Sequence, residues 1–338
     1  MTRTSGAIAG AERSSRTSGA GVRSFDPACD FPAMVELITA VNRHEGIDYF
    51  PTPEGLALDW APSPRFDPAR DQAVVEDEGR FIAAGGVDWR ERDGKIVHRI
   101  EIWVHPDVRH RGHGRRLLEW AEARARESVA DGSGGPPALP HFLGGGVDRG
   151  KAHQVRFAER AGYAPVRYGF VMRRALDEPI PDVPLPDGLD VRPVVAEQHR
   201  AIWEADTEAF RDHFEAAVRD EADYAQFYDH PDVDTSLWQV AWDGSEVAGS
   251  VVNGIYPHEN AQLGLDIGWL DHVSVRRPWR RRGLAGALIA RSLVVLRERG
   301  MSLAALGVDA ENPTGALGLY ERYGFRPHQT WVTYRKPF

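Results

Sequence analysis

The same glycine-bearing turn occurs twice in this chain, and that constrains its fold more than any other feature. Arg109-His110-Arg111-Gly112-His113-Gly114 lies in the first half, and Arg280-Arg281-Arg282-Gly283-Leu284-Ala285 lies in the second. Both read Arg-x-x-Gly-x-Gly/Ala, follow an apolar strand-like run and open an amphipathic helix. The leading arginines are 280 − 109 = 171 residues apart, about one domain. A chain of 338 residues accommodates two such units. A turn of this kind at a helix start presents successive backbone N–H groups to an anion. The sequence therefore reads as a tandem repeat of one fold, with an anion cradle in each copy.

The charge pattern agrees with small anions rather than a polymer. Net charge is −9, which argues against general nucleic-acid binding. Yet arginines cluster at 109, 111, 115 and 116, and again at 276, 277, 280, 281 and 282. The single cysteine, Cys29, excludes an intrachain disulfide and fits a reducing cytoplasm. No apolar run approaches the roughly 18 residues that a membrane span needs. Residues 1–24 are rich in Ser, Thr, Gly, Ala and Arg and read as a disordered tail.

Hydrophobic periodicity divides the rest. Residues 25–176 form a first unit, 177–188 a stiff linker with four prolines, and 189–338 a second unit. In the first unit, helical spacing covers 32–44, and 49–70 reads as an irregular, proline-rich crossing. A hairpin spans 73–89 around Asp77-Glu78-Gly79, a strand covers 96–105 and a helix 117–129. A strand over 141–147, a helix over 155–161 and a strand over 166–174 follow. The second unit repeats this order: strand 189–193, helices 196–210 and 221–228, hairpin 237–255, strand 268–275, helix 284–299, strand 303–308, helix 314–323 and strand 330–335. Each unit is thus α+β, a mixed, mostly antiparallel sheet flanked by helices.

Competing phosphate motifs fit less well. Neither turn has the Lys-Ser/Thr of an ATP-binding loop, and a dinucleotide fingerprint wants a small third residue where Leu117 stands. The second turn is instead followed at a distance by Asn312-Pro313-Thr314-Gly315-Ala316-Leu317-Gly318-Leu319-Tyr320-Glu321-Arg322-Tyr323-Gly324-Phe325. Turn and Asn…Leu-Tyr-x-x-x-Gly-Phe block together resemble the GCN5-related N-acetyltransferase (GNAT) superfamily. The likeness covers about residues 25–338 as two copies. Among tandem members it is similar to the mycothiol synthase group, with a degenerate first copy and an active second one.

The resemblance implies acetyl-CoA as cofactor. The pyrophosphate would sit on Arg280, Arg281, Arg282, Gly283, Leu284, Ala285 and Gly286. The cofactor arm would lie along the backbone of Val273 and Val275, with Asn312 as a further contact or a helix cap. Tyr320 matches the family's tyrosine acid, which would protonate the departing thiolate. Asp271 and His272 are candidates for the base that takes the amine proton. Neighbours on a regular strand point to opposite faces, so one of the two is expected to face the site. In the first copy the matching cofactor positions are Ile102, Val104, Arg109, Arg111, Gly112, His113 and Gly114. Setting Gly162 on Gly324 puts Ala158 where Tyr320 stands, Gly150 where Asn312 stands and Phe157 where Leu319 stands. That copy is expected to be structural, or to hold cofactor without turnover.

The leading expectation is transfer of an acetyl group from acetyl-CoA to a primary amine of a small molecule, by direct attack. Acetylation of a cysteinyl-sugar amine, as by mycothiol synthases, is a narrower alternative. A non-catalytic acyl-CoA sensor is another. The segment 209–214, which mixes charge, imidazole and aromatic rings, is the expected acceptor contact. Neither nucleic acid nor membrane is expected as a partner, and the assembly is expected to be a monomer or homodimer.

Overall fold

The computed structural model describes residues 21–312 and 315–338. The tail expected over 1–24 lies outside the described residues up to position 20. Its last three residues are folded: Val22–Ser24 form strand β1, and Arg23 on it bonds both Asp30 and Glu76. In the first half, β1 leads to helices Phe31–Glu45 (α1), Pro53–Asp59 (α2) and Pro68–Asp71 (α3). Strands Gln72–Asp77 (β2), Arg80–Arg92 (β3) and Lys95–Val104 (β4) follow, then helix His113–Ala130 (α4). Strand His141–Asp148 (β5), helix Ala152–Arg160 (α5) and strand Ala164–Ala175 (β6) complete the half.

The second half runs Asp190–Arg192 (β7), His199–Phe210 (α6), Glu221–Asp229 (α7), Gln239–Asp243 (β8) and Glu246–Ile255 (β9). It continues with Pro257–Leu263 (α8), Ile267–Val275 (β10), Leu284–Glu298 (α9), Leu303–Asp309 (β11), Ala316–Arg322 (α10) and Arg326–Pro337 (β12). The crossing at 49–70, expected to be irregular, contains α2 and α3. Their prolines stand in the first helical turn, where the missing N–H costs nothing, and Thr52 and Asp67 cap the starts.

All the strands join one sheet, in the order β1-β2-β3-β4-β5-β12-β6-β11-β10-β9-β8-β7. The middle of this order is an exchange. The last strand of the second half, β12, lies between β5 and β6 of the first half, through Val332↔Val147 and Val332↔Tyr168. The last strand of the first half, β6, pairs in turn with β11, as in Leu306↔Met172. Each half is closed by the other's final strand. Arg174 on β6 reinforces the joint by donating to Tyr323 O and to Glu178 O and Pro179 O at the start of the linker.

In the second half, two helices cover opposite faces of the sheet. Asn253 on β9 donates to Ser292 Oγ on α9 at 3.1 Å. Its neighbour Val252 packs with Ile202 and Ala205 of α6. Successive strand residues point to opposite faces, so α9 and α6 lie on opposite sides. Leu284, Leu288, Leu293 and Leu296 of α9 fill the larger core against Leu270 and Leu306.

Candidate active site

The two turns have one backbone conformation. Arg280 sits at φ −68°, Arg281 at +58° and Gly283 at +87°. Their counterparts Arg109, His110 and Gly112 sit at −60°, +63° and +88°. The left-handed residue immediately before α9 and α4 explains the glycine in each turn. Space is open where a Cβ on Gly283 would stand, and the first N–H groups of α9 lack intrahelical partners. Arg281, Arg282 and Gly283 are exposed, whereas Leu284 is buried in the core. Gly286 serves packing: a Cβ there would collide with the hydroxyl of Tyr323.

Arg280 is taken up by the protein itself. Its guanidinium donates to Val275 O at 2.8 Å and Asp212 Oδ2 at 2.5 Å, and Arg277 shares that aspartate. Arg109 is bound in the same way to Glu45, the last residue of α1. In each half the turn's leading arginine is thus tied to a carboxylate at or just beyond the end of the half's first long helix.

Beside the second turn the sheet opens. β10 pairs with β11 only from Ile267 to Trp269, though both strands run on, so the β10 edge from Leu270 toward Val275 faces a gap. β4 and β5 part likewise after Arg99↔Gly144, ahead of Ile102 and Val104. A diverging strand pair next to a helix start fits an extended chain with a phosphate at one end.

The strands that lead into the two turns differ. β10 carries a bulge between Leu270 and His272 where it pairs with β9, whereas β4 pairs with β3 without a break. The bulge overturns the opposite-face expectation. Leu270 and Val273 both pack into the α9-side core, which regular alternation forbids at a separation of three. The inserted residue puts Asp271 and His272 together on the α6 side. Asp271 accepts the Tyr256 hydroxyl at 2.9 Å, over Gly254. A Cβ on Gly254 would lie 2.7 Å from Tyr256 Oη and closer still to Asp271. Solvent reaches the Asp271 carboxyl, but protein encloses it on most sides and pushes its pKa up, against the Tyr256 bond.

His272 Nδ1 meets Asp206 Oδ2 of α6 at 3.0 Å, and Arg219 donates to the same oxygen at 2.8 Å. Burial opposes the imidazolium, but the Asp206 charge outweighs it and raises the His272 pKa. Burial likewise opposes the Asp206 carboxylate, yet His272 and Arg219 hold its pKa down. Phe210 and Phe227 lie 5.0 and 5.4 Å from the His272 ring. From the expected acceptor segment 209–214, Phe210 thus flanks the site. Asp212 is committed to arginines, and Phe214 lies under Arg167.

Tyr320 is buried on α10, edge-on to Phe325, and desolvation pushes its phenol up to about 12. Gly315, not Asn312, occupies the cap position of α10. In the first half Ala158 stands on α5, and Tyr163 is tied to Glu122 at 3.0 Å.

Sequence reading missed three of these neighbours. Asp206 interrupts the apolar stripe Ile202, Ala205, Ala209 of α6, and an acid on a buried helical face was the available signal. Tyr256 had no such signal. Nor did Glu259 on α8, which accepts Phe50 N–H and which burial pushes up to about 7.

Comparison with known proteins fixes the class. The acetyltransferase (GNAT) family model matches twice, over residues 34–132 and 199–325. The chain belongs to the GNAT family; it is an N-acetyltransferase, and its cofactor is acetyl-CoA. It is 32% identical to a mycothiol acetyltransferase of Pseudarthrobacter chlorophenolicus, over 80% of this chain and 76% of that one. It is 30% identical to a mycothiol acetyltransferase of Geodermatophilus obscurus, over 93% and 96% of the two chains. A GCN5-related N-acetyltransferase from Sphaerobacter thermophilus superposes with TM-score 0.70 at 28% identity, covering 94% of this chain and 95% of that one. A tandem GNAT protein of the clavulanic acid biosynthesis pathway shares the fold at TM-score 0.66 and 18% identity, covering 94% and 98%.

Proposed function

We propose that the second half moves an acetyl group from acetyl-CoA to the primary amine of a small molecule by direct attack. The observation that carries this reading is the β10 bulge, with Asp271 and His272 on one face beside the diverging strands. Acetyl-CoA supplies an acyl thioester whose sulfur leaves as a thiolate. Backbone N–H groups of Gly283 to Gly286 hold its pyrophosphate, with Arg281 and Arg282 adding positive charge at the surface. The main chain at Val273 and Val275 lines its arm, with Asn312 beside it.

An ammonium cannot attack, so its proton must leave, to a group of this chain or through a chain of waters to solvent. His272, oriented by Asp206, and Asp271, bonded to Tyr256, are the two candidates, acting directly or through a water. Phe210 and Phe227 limit water around the imidazole. Tyr320 donates a proton to the leaving sulfur; its raised pKa keeps the hydroxyl protonated across the working range. The first half, with Ala158 in the tyrosine's register, holds cofactor on the Arg111, Gly112, His113 and Gly114 turn, which Arg109 braces through Glu45, without turning it over.

The names of the relatives support a narrower version, in which the acceptor is a cysteinyl-sugar amine. A metabolite acceptor and the single cysteine support a cytoplasmic location. Release of CoA thiol by the full-length protein, over a panel of small amines that includes that sugar, tests both levels. Turnover on the sugar alone supports the narrow version. No turnover on any amine, with acetyl-CoA bound as seen by native mass spectrometry, sinks both. One equivalent of bound cofactor rather than two would remove the proposed role of the first turn.

A further inference from the structure

A cavity of about 480 Å³ lies on the sheet of the first half, away from the β10 edge. That volume is within the roughly 300–1,000 Å³ of small-ligand sites. Glu101 and Asp88 of the sheet line it, with Trp60, Phe66 and Asp229 of α7, the last from the other half. Glu101 precedes Arg109 by eight residues, as His272 precedes Arg280 by eight (109 − 101 and 280 − 272). The cavity is therefore the first-half counterpart of the face on which His272 stands.

Its charges do not cancel. Arg65 and Arg90 are spent on Asp223, and Arg65 also on Asp220, both at the start of α7. Arg99 alone serves both Asp88, at 2.9 Å, and Glu101, at 3.3 Å. Asp59 and Asp229 have no ion-pair partner among the described residues; Asp59 has only contacts of 3.5 Å from Tyr49 and Gln226. His230, also at the rim, lies against Asp232 at 3.6 Å. With Arg65 and Arg90 taken by Asp220 and Asp223, four lining carboxylates share Arg99 alone, a formal excess of 4 − 1 = 3 negative charges that burial reduces by pushing the Asp59 and Glu101 carboxyls up. An excess of this sign in a half-open cleft attracts a cation.

A second observation points to the rest of the ligand. Gln72 lines the cavity, is only 1% exposed, and its Nε2 has no hydrogen-bond partner. The carboxamide occupies the space a side chain at Gly86 would need, so the glycine admits it. Arg65 Nε, also buried at this wall, is likewise unpartnered. Buried N–H groups of this kind call for an oxygen acceptor. We infer that this cavity binds a small organic amine in its ammonium form, with a hydroxyl or carbonyl oxygen next to the nitrogen. The carboxylates of Asp59, Glu101 and Asp229 face the ammonium, Gln72 and Arg65 donate to the oxygen, and Trp60 and Phe66 cover the carbon skeleton. The inference does not depend on acyl transfer in the second half.

The test uses the full-length protein labelled at its tryptophan indole nitrogens, with Trp60→Phe to assign that signal. The probe is 2-amino-1-phenylethanol, compared with 1-phenyl-1,2-ethanediol, which keeps the ring and hydroxyl but lacks the charge. The amine is expected to shift the Trp60 signal, and the diol to need about tenfold more for the same shift. Asp59→Asn and Glu101→Gln are each expected to weaken the amine by about tenfold, with the other indole signals retained as evidence of folding. Gln72→Met, which keeps the volume, is expected to weaken amine and diol alike. A shift confined to Trp203 or Trp269 would place the amine in the second half only and overturn the inference. So would equal binding of amine and diol, or no shift of Trp60.

Discussion

Asp206 and His272 meet at 3.0 Å across the junction of α6 and β10, and the carboxylate is wholly buried. The pair fixes the imidazole so that Nδ1 faces the acid and Nε2 is free to face a substrate. His272 has its pKa raised, so its share of folding stability is present below about 6.5 and is lost as pH rises through the folded value. Asp206 has its pKa lowered, so its share is present above about 3.9 and is lost as pH falls through the folded value. The pair therefore stabilises most in mildly acidic solution.

Two substitutions separate the candidate bases by sign. Asp206→Asn removes the charge that raises His272, so an activity limb owed to His272 moves to lower pH. Tyr256→Phe removes a bond that holds Asp271 down, so a limb owed to Asp271 moves to higher pH. Profiles of kcat/KM against pH for both variants decide between them, and two unmoved limbs exclude both residues. Asp206→Asn also leaves Arg219 without its carboxylate, at a cost of about 3 kcal/mol in denaturant unfolding.

Tyr320→Phe is expected to lower kcat by about a hundredfold and to leave the KM for acetyl-CoA unchanged. The hydroxyl's loss removes no packing, because the ring stays against Phe325. An undiminished kcat would show that the departing sulfur needs no acid from α10.

Gly254→Ala is expected to push the Tyr256–Asp271 pair off its present position. Overpacking of this kind costs about 1–3 kcal/mol. If Asp271 matters to turnover, kcat falls further than the shared loss of stability explains, and measuring activity well below the melting temperature isolates that part.

Arg280 and Asp212 form a brace, so Arg280→Ala and Asp212→Ala should raise the KM for acetyl-CoA to similar extents. The double variant should resemble either single one, with a coupling of about 1–2 kcal/mol. A severe Arg280 variant beside a mild Asp212 variant would instead mark the guanidinium as a direct phosphate contact.

Glu259 offers a stability test. Its pKa near 7 means that the folded state prefers the neutral acid, so its contribution is present below about 4.3 and is lost as pH rises toward 7. Glu259→Gln should raise the melting temperature at pH 8 and leave it nearly unchanged at pH 5. Equal shifts at both values would remove this explanation.

Much of the architecture was legible because it is local. The apolar spacing of Phe31, Val35, Leu37, Ile38 and Val41, the hairpin at Glu78-Gly79 and the two turns each declare themselves within a dozen residues. The β10 bulge was not legible: Leu270, Asp271 and His272 include no glycine or proline to mark it. Asp206 was hidden because it becomes informative only when β10 is placed against α6. The exchange of β6 and β12 was hidden for a stronger reason. Both strands follow a short helix and a glycine turn and suit the same slot, so sequence pattern cannot say which half each one closes.

That exchange binds the history of the two halves together. A recombination crossing at the proline-rich linker would deliver a first half whose sheet awaits a strand encoded at the far end of the gene, and that strand would come from another lineage. Substitutions along β12 answer to β5 and β6, more than 150 residues upstream. The two copies differ, the tyrosine and the bulge standing in one and not in the other, but neither can be cut away without taking the strand that closes its neighbour.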